Sequence, residues 1–243
     1  MAEATLLNLE LACFIIAVLY SITGHAGASG YIAVMALLGM APQEIKPLAL
    51  TLNLVVSAVA TLQFYRAGHF YRKLFLPFVL GSIPFALLGG YVQLPGQWFK
   101  WLMGVALIIA ALRVVVRQPQ VTTYPNLIAA LCLGAAIGFV SGLIGVGGGI
   151  FLTPLLLLAG WATAKQAAAV SAPFILLNSL AALAGLNAHL AQVLPDNILY
   201  LVAAVLMGGL LGSFMGSRTF AQQTITRVLS AVLLIAGAKL LYV

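Results

Sequence analysis

Charge is what this sequence has least of. Of its 243 residues only four are acidic, eleven are Lys or Arg and three are His, so 6% of the chain is charged, against about a quarter in an ordinary soluble domain. That is too little to cover a surface in water, and a soluble globule is excluded. Cysteine is almost as scarce. Cys13 and Cys132 stand alone inside apolar runs, with no CxxC and no nearby His cluster, so both read as small buried apolar residues and no disulfide or metal site is expected. Long polar stretches are missing too, which leaves no room for a soluble domain. There is no phosphate-binding GxxxxGK followed by Ser or Thr, and GVGGGI (145–150) lacks the final Gly of GxGxxG. ATP-driven transport and nucleotide cofactors are therefore not supported, and no cofactor is expected.

What the sequence does have is apolar residues, 63% of the chain, gathered into ten runs near 11–23, 30–41, 48–65, 74–92, 98–116, 127–141, 150–159, 166–188, 197–217 and 225–243. At 1.5 Å rise per residue a bilayer core of about 30 Å takes about 20 residues. Six of the runs reach or approach that length. Two, 30–41 and 150–159, cover about half of it, and each is entered through a Gly-rich stretch, GHAGASG (24–30) and GLIGVGGG (142–149). The N-terminus carries Glu3 and Glu10 instead of a basic n-region, so the first run is expected to be retained.

The chain divides into halves that look alike. The polar connector RQPQVTTYPN (117–126) falls near the midpoint, and one offset lays Thr23 and Gly24 on Ser141 and Gly142, Gly27 on Gly145 and Gly30 on Gly148. Gly81 then falls near Gly208, Gly89 near Gly216, and ALIIAALR (106–113) on VLLIAGAK (232–239). The expected architecture is an all-α polytopic membrane protein of two inverted repeats, residues 1–117 and 126–243 joined by a linker at 118–125. Each repeat is a Gly-tipped V, made of a helix plus a half-length helix, followed by three full spans.

Threading the charges through this topology puts Arg66, Arg72, Lys73, Arg113, Arg117, Lys165, Arg218 and Arg227 on one side. Glu3, Glu10, Glu44 and Asp196 fall on the other, with Lys46, Lys100 and Lys239. By the positive-inside rule the first side is cytoplasmic, and both termini are expected outside. The net charge of +7 is thereby explained by topology, and nucleic acid drops out as a partner.

The Gly-rich tips are where chemistry is expected. Glycines bring bare backbone N–H groups close to a ligand, and a helix that starts inside the membrane turns its positive dipole end to whatever lies at mid-depth. A small anion suits that position. The binding residues expected at the tips are His25, Gly27, Ser29 and Gly30 from the first half, and Gly145, Gly147, Gly148 and Gly149 from the second. Polar residues in the following long runs add Thr51, Asn53, Ser171 and Asn178, with Ser57 and Ser179 nearby. The competing readings are plain packing. Gly145 and Gly149 spell GxxxG, hydroxyls bond back to their own helix, and His25 is equally at home as a neutral packed imidazole. The glycines at 134, 138 and 142 and at 208, 212 and 216 read as helix-contact stripes. No membrane-embedded pair of carboxylates exists, so a coupling proton rests on His25 or on the anion itself. The rival to a transporter is a non-transporting scaffold; an enzyme has no nucleophile–base pair or metal cluster to work with.

Three segments carry a family resemblance: SGLIGVGGGIFLTPLLLLAG (141–160), AAAVSAPFILLNSLAALAG (167–185) and LALTLNLVVSAVATLQFYRAGHF (48–70). Together they resemble the sulfite exporter TauE/SafE family, also described as the 4-toluene sulfonate uptake permeases. The likeness runs over nearly the whole chain. It implies secondary transport of sulfite, sulfonates or related sulfur-containing anions. The first half departs from the repeated tip, with Ser29, Tyr31 and Ala36 where this offset sets Gly147, Gly149 and Pro154.

Overall fold

The computed structural model describes residues 3–92, 94–112, 123–186, 194, 198–218, 234, 238 and 241. The described residues form nine helices and no strand: α1 (Glu3–Ile22), α2 (Ala28–Leu37), α3 (Pro42–Arg66), α4 (Arg72–Tyr91), α5 (Gly96–Leu112), α6 (Leu127–Ile144), α7 (Gly149–Leu158), α8 (Ala164–Gly185) and α9 (Ile198–Arg218). Five of these are long and apolar enough to cross a membrane: α3, α4, α6, α8 and α9. Four were among the six long runs of the sequence. The fifth, α6, exceeds its expected length because it continues past Ser141 to Ile144. The tenth run apart from residues 234, 238 and 241, and Arg113, Arg117, Asp196, Arg227 and Lys239, lie outside the described residues.

The half-length helices form as expected, with ten residues each in α2 and α7. Their ends match in detail. Each starts on a glycine with positive φ, Gly27 (97°) and Gly148 (83°), and each ends before another, Gly39 (77°) and Gly160 (64°). The chain enters each through one more, Gly24 (74°) and Gly145 (80°). The left-handed region is nearly free to glycine and costly to other residues, so these glycines fix where the short helices begin and stop. The backbone hydrogen bonds repeat as well: Met40 N–H donates to Met35 and Trp161 N–H to Leu156, while His25 N–H donates to Tyr20 and Val146 N–H to Ser141. The structural register thus pairs Gly24 with Gly145 and Gly27 with Gly148, three residues beyond the sequence offset. In this register Ala26 and Ala28 stand opposite Gly147 and Gly149.

Packing exchanges partners between the halves. α4 lies on α6 and α9 on α1; α3 lies on α8, while α4 also meets α8 and α9 meets α3. The small-residue stripes make the close approaches possible. A Cβ at Gly134, Gly138 or Gly142 would sit 2.3 Å from the carbonyl oxygen of Phe78, Ser82 or Ala86 on α4. Across the same seam Gly81 and Gly89, two turns apart, face the carbonyls of Leu131 and Phe139. In the other seam Gly208 and Gly216, also two turns apart, face those of Phe14 and Ile22. Without these glycines the backbones could not approach, and in lipid, where no hydrophobic force drives helices together, such contact is what associates them.

One core cluster spans both halves, joining Tyr31, Ile32, Leu48 and Leu52 to Ile144, Ile150, Ile175 and Leu201. Large apolar residues such as Leu80, Ile128 and Leu199 face outward, 63–75% exposed, as lipid contact requires. Exposed aromatics lie at both ends of the bundle, Tyr91, Trp98, Trp101 and Tyr200 at one and Tyr65 and Tyr124 at the other, the pattern of interfacial belts. Cys13 is buried as expected, but Cys132 is exposed, because α6 turns that face away from α4.

Candidate functional site

Every residue from 20 to 33 and from 141 to 150 is buried, so both tips end inside the bundle. His25, 3% exposed, leaves the first tip through two contacts of opposite character. Its Nδ1 lies 3.0 Å from the carbonyl of Thr23 and 3.1 Å from the hydroxyl of Thr23. That hydroxyl donates to the Tyr20 carbonyl at 2.8 Å, so both neighbours of Nδ1 act as acceptors. The neutral ring therefore carries its proton on Nδ1 and presents Nε2 as an acceptor. Thr153 Oγ1 stands 2.9 Å from Nε2 and 2.7 Å from Ser171 Oγ. The chain runs from Ser171 through Thr153 to His25, and it links α8 and α7 of the second half to the first tip.

The second tip reaches the other way. Asn53 on α3 donates through Nδ2 to the carbonyl of Val146 at 3.2 Å and to Ser179 Oγ at 3.4 Å. Gly147 is wedged between these groups: a Cβ there would lie 2.7 Å from Asn53 Nδ2 and 2.8 Å from Ser179 Oγ. At Gly149 a Cβ would meet Ile175 at 2.3 Å and lie 3.5 Å from the His25 ring. Ile175 therefore touches both clusters, and the two tips are neighbours. Here the tip glycines differ from the stripe glycines. Gly147, Gly148 and Gly149 face side chains of other helices, which can move, whereas the stripes face fixed carbonyls.

The other expected residues are dispersed around this centre. Ser29 and Gly30 sit inside the first turn of α2, where Ser29 Oγ donates to Tyr20 Oη at 2.9 Å and Gly30 packs on Ile16 and Tyr20. Gly27 lies over Tyr31, and Gly145 over the stem of Lys46. Thr51 bonds back to the Pro47 carbonyl in its own helix. Asn178 reaches Ser82 on α4 at 3.0 Å. Among the expected residues the structure thus brings together His25, Gly149 and Ser171 on one side, and Asn53 and Gly147 on the other.

Thr153 was not singled out from sequence. Its signal lay in register, since it stands four residues after Gly149 and hence on the same helix face, one turn from the tip. Five buried polar atoms at or near these tips have no partner among the described residues: Ser21 Oγ, Tyr31 Oη, Ser141 Oγ, Asn53 Oδ1 and Asn178 Oδ1. Ser141 Oγ would lie 3.4 Å from a Cβ at Gly148. Orphaned polar atoms in a dry interior cost about 1–3 kcal/mol each, so this centre retains hydrogen-bonding capacity that the protein itself does not fill. No group of three His, Cys, Asp or Glu able to hold a metal occurs among the described residues.

A helical bundle with five membrane-length helices, and two buried tips that each engage polar residues of the opposite half, is the framework of a multi-pass membrane protein. Comparison with known proteins agrees. The family model "Sulfite exporter TauE/SafE" matches residues 9–240, and the chain belongs to that family. It is 42% identical over 243 residues to the probable membrane transporter protein y4hK of Sinorhizobium fredii, covering 97% of this chain and 98% of that one. It is also 24% identical over 196 residues to the probable membrane transporter protein YunE of Bacillus subtilis, covering 69% of each. No solved structure matches.

Proposed function

We propose that the chain is a secondary transporter for a small sulfur-containing anion, sulfite or a sulfonate, working by alternating access around the centre between the two tips. The observation that carries this reading is the reciprocal hand-off. The first tip bonds to Thr153 and Ser171 of the second half, and Asn53 of the first half bonds to the second tip. Moving one half against the other must break both links, so a ligand that replaces them can act from either side of the membrane. Backbone N–H groups at two helix starts, each about half a positive charge, would face a monoanion there. His25, or the anion, carries any coupled proton.

In this reading residues 1–117 and 126–243 are repeats of opposite orientation. The loop that follows α3 and the start of its counterpart α8 line one hollow of about 500 Å³, between residues 68–71 and 163–166, in keeping with antiparallel counterparts. His69 and Lys165 border it, and Arg66, Arg72 and Lys73 lie at the same end. This end is assigned to the cytoplasm of a cell whose inner membrane holds the protein, with both termini outside. Ser171 lies five residues along α8 from Gln166 at the edge of the hollow, and in this reading the hollow is where the inner access route opens. The test is a thermal-stabilisation screen of the purified protein with sulfite, sulfonates, sulfate and chloride, followed by uptake of the stabilising anions into proteoliposomes. Stabilisation and uptake confined to sulfur oxyanions are expected; a protein indifferent to all of them, or one that moves none, overturns the proposal.

A further inference from the structure

Lys46 is the only Lys, Arg, Asp or Glu buried among the described residues, at 6% exposure. Among the described residues its ammonium bonds only to backbone carbonyls, those of Gly89 at 3.2 Å, Gly90 at 3.1 Å and Val92 at 3.4 Å. These are the last carbonyls of α4, the negative end of that helix. No carboxylate pairs with Lys46 among the described residues. Dipoles alone compensate the full charge incompletely, and a buried cation near the end of a membrane-length helix, with no charged partner among the described residues, is a candidate counter-charge for an anion.

Its neighbours tie it to the second tip. Gly145 packs on the Lys46 stem, with a Cβ at 145 lying 3.0 Å from Lys46 Cγ. Along α3, Lys46 and Asn53 are seven residues apart and share one face, and Asn53 holds Val146 beside Gly147. The flexible four-carbon stem lets the ammonium turn from the α4 carbonyls toward the tip. We propose that Lys46 is the cationic anchor for the transported anion, parked on the α4 C-terminus in this closed arrangement and exchanging those carbonyls for the anion when the tip opens. This rests on the anion-transport reading above and adds to it a specificity-determining charge.

The test uses Lys46→Cys in the full chain with Cys13 and Cys132 replaced by Ala, titrated with sodium sulfite and with methanesulfonate and read by melting temperature. Alkylation of the thiolate with 2-bromoethylamine, with loss of bromide, rebuilds a side chain with a terminal ammonium through a thioether that sulfite does not cleave; bromoethane adds a neutral one. The unmodified variant should bind roughly thirtyfold more weakly or worse, and only the ammonium adduct should recover affinity. Equal recovery by the neutral adduct, or unchanged affinity in the unmodified variant, overturns the anchor and leaves Lys46 as a cap of α4. A Cys-free parent with Lys46 intact that responds to neither anion, nor to the wider panel, overturns the transport reading itself.

Discussion

The imidazole Nε2 of His25 and the hydroxyl of Thr153 lie 2.9 Å apart although 128 residues separate them in sequence. The contact joins the tip of one half to the short helix of the other. Because the His25 proton sits on Nδ1, Thr153 must donate, and Ser171 must donate to Thr153. Thr153→Val keeps the volume but takes from Nε2 its bond to Thr153 and from the Ser171 hydroxyl its acceptor there, in a dry interior. The expected cost is about 1–3 kcal/mol, read as a lower melting temperature, together with slower anion uptake. Thr153→Ser should restore both. An unaltered Thr153→Val protein would show that the chain contributes nothing to the closed state.

Gly147 combines a φ of 76° with side chains on three sides. Gly147→Ala therefore places a methyl against Asn53 and Ser179 and adds about 1–2 kcal/mol of backbone strain. Anion affinity should fall at least about tenfold in a variant that still elutes as a single species in detergent. Affinity equal to wild type would return this glycine to a packing role.

The stripes make a contrasting prediction. Gly138 faces the Ser82 carbonyl with no room for a methyl group, and backbone cannot step aside as a side chain does. Gly138→Val should separate α4 from α6 and lose the folded protein altogether, with no recovery by anion. Folded, anion-responsive Gly138→Val protein would mean that this seam is looser than its geometry.

Orientation can be read with cysteines in a Cys-free background. Glu44 and Arg72 are both exposed, near the starts of α3 and α4, and these two starts lie at opposite ends of the bundle. An impermeant thiol reagent added outside intact cells should label Cys at 44 and spare Cys at 72 until the membrane is opened. The reverse pattern would invert the assignment made from the basic residues.

Much of the fold was legible because the bilayer imposes lengths. The two half-length helices stood out in the sequence, and so did the glycine stripes, whose period of four is a helix-contact signal in itself. Partner choice was not legible. Nothing in the pattern of α4 says that it rests on α6 of the other half, since glycine stripes specify closeness and not identity. The glycines that turn the chain at the two tips correspond at a spacing three residues beyond the sequence offset, because glycines are common enough near both tips to align in more than one way, whereas φ separates those that turn the chain from those that pack. For the site, residue type alone pointed to His25, Asn53 and Ser171. It could not tell that Thr51 would bond within its own helix, or that Asn178 would turn toward α4, because both depend on which helix face meets which neighbour. Lys46 was assigned to the outer side, and its burial against the α4 C-terminus follows only from tertiary packing.

The last prediction concerns the proton. With no buried carboxylate among the described residues, coupling has two carriers available: the His25 ring, or an oxyanion whose own second dissociation lies near neutrality, as that of a phosphate monoester does at about 6. Protonating His25 puts a hydrogen on Nε2, and two donors then face each other across 2.9 Å. Thr153 must turn to accept, and its hydroxyl hydrogen swings toward Ser171, reversing the chain that holds the first tip to the second half. His25→Gln retains a polar side chain of similar reach but cannot titrate near pH 7. If His25 is the carrier, the variant should still bind sulfite, and an inward proton gradient should no longer accelerate uptake into proteoliposomes. If the anion carries the proton, the variant should respond to the gradient as wild type does, and a permanently charged sulfonate, with no second proton to carry, should be insensitive to it in both proteins. Gradient-driven sulfonate uptake that survives His25→Gln would exclude both carriers.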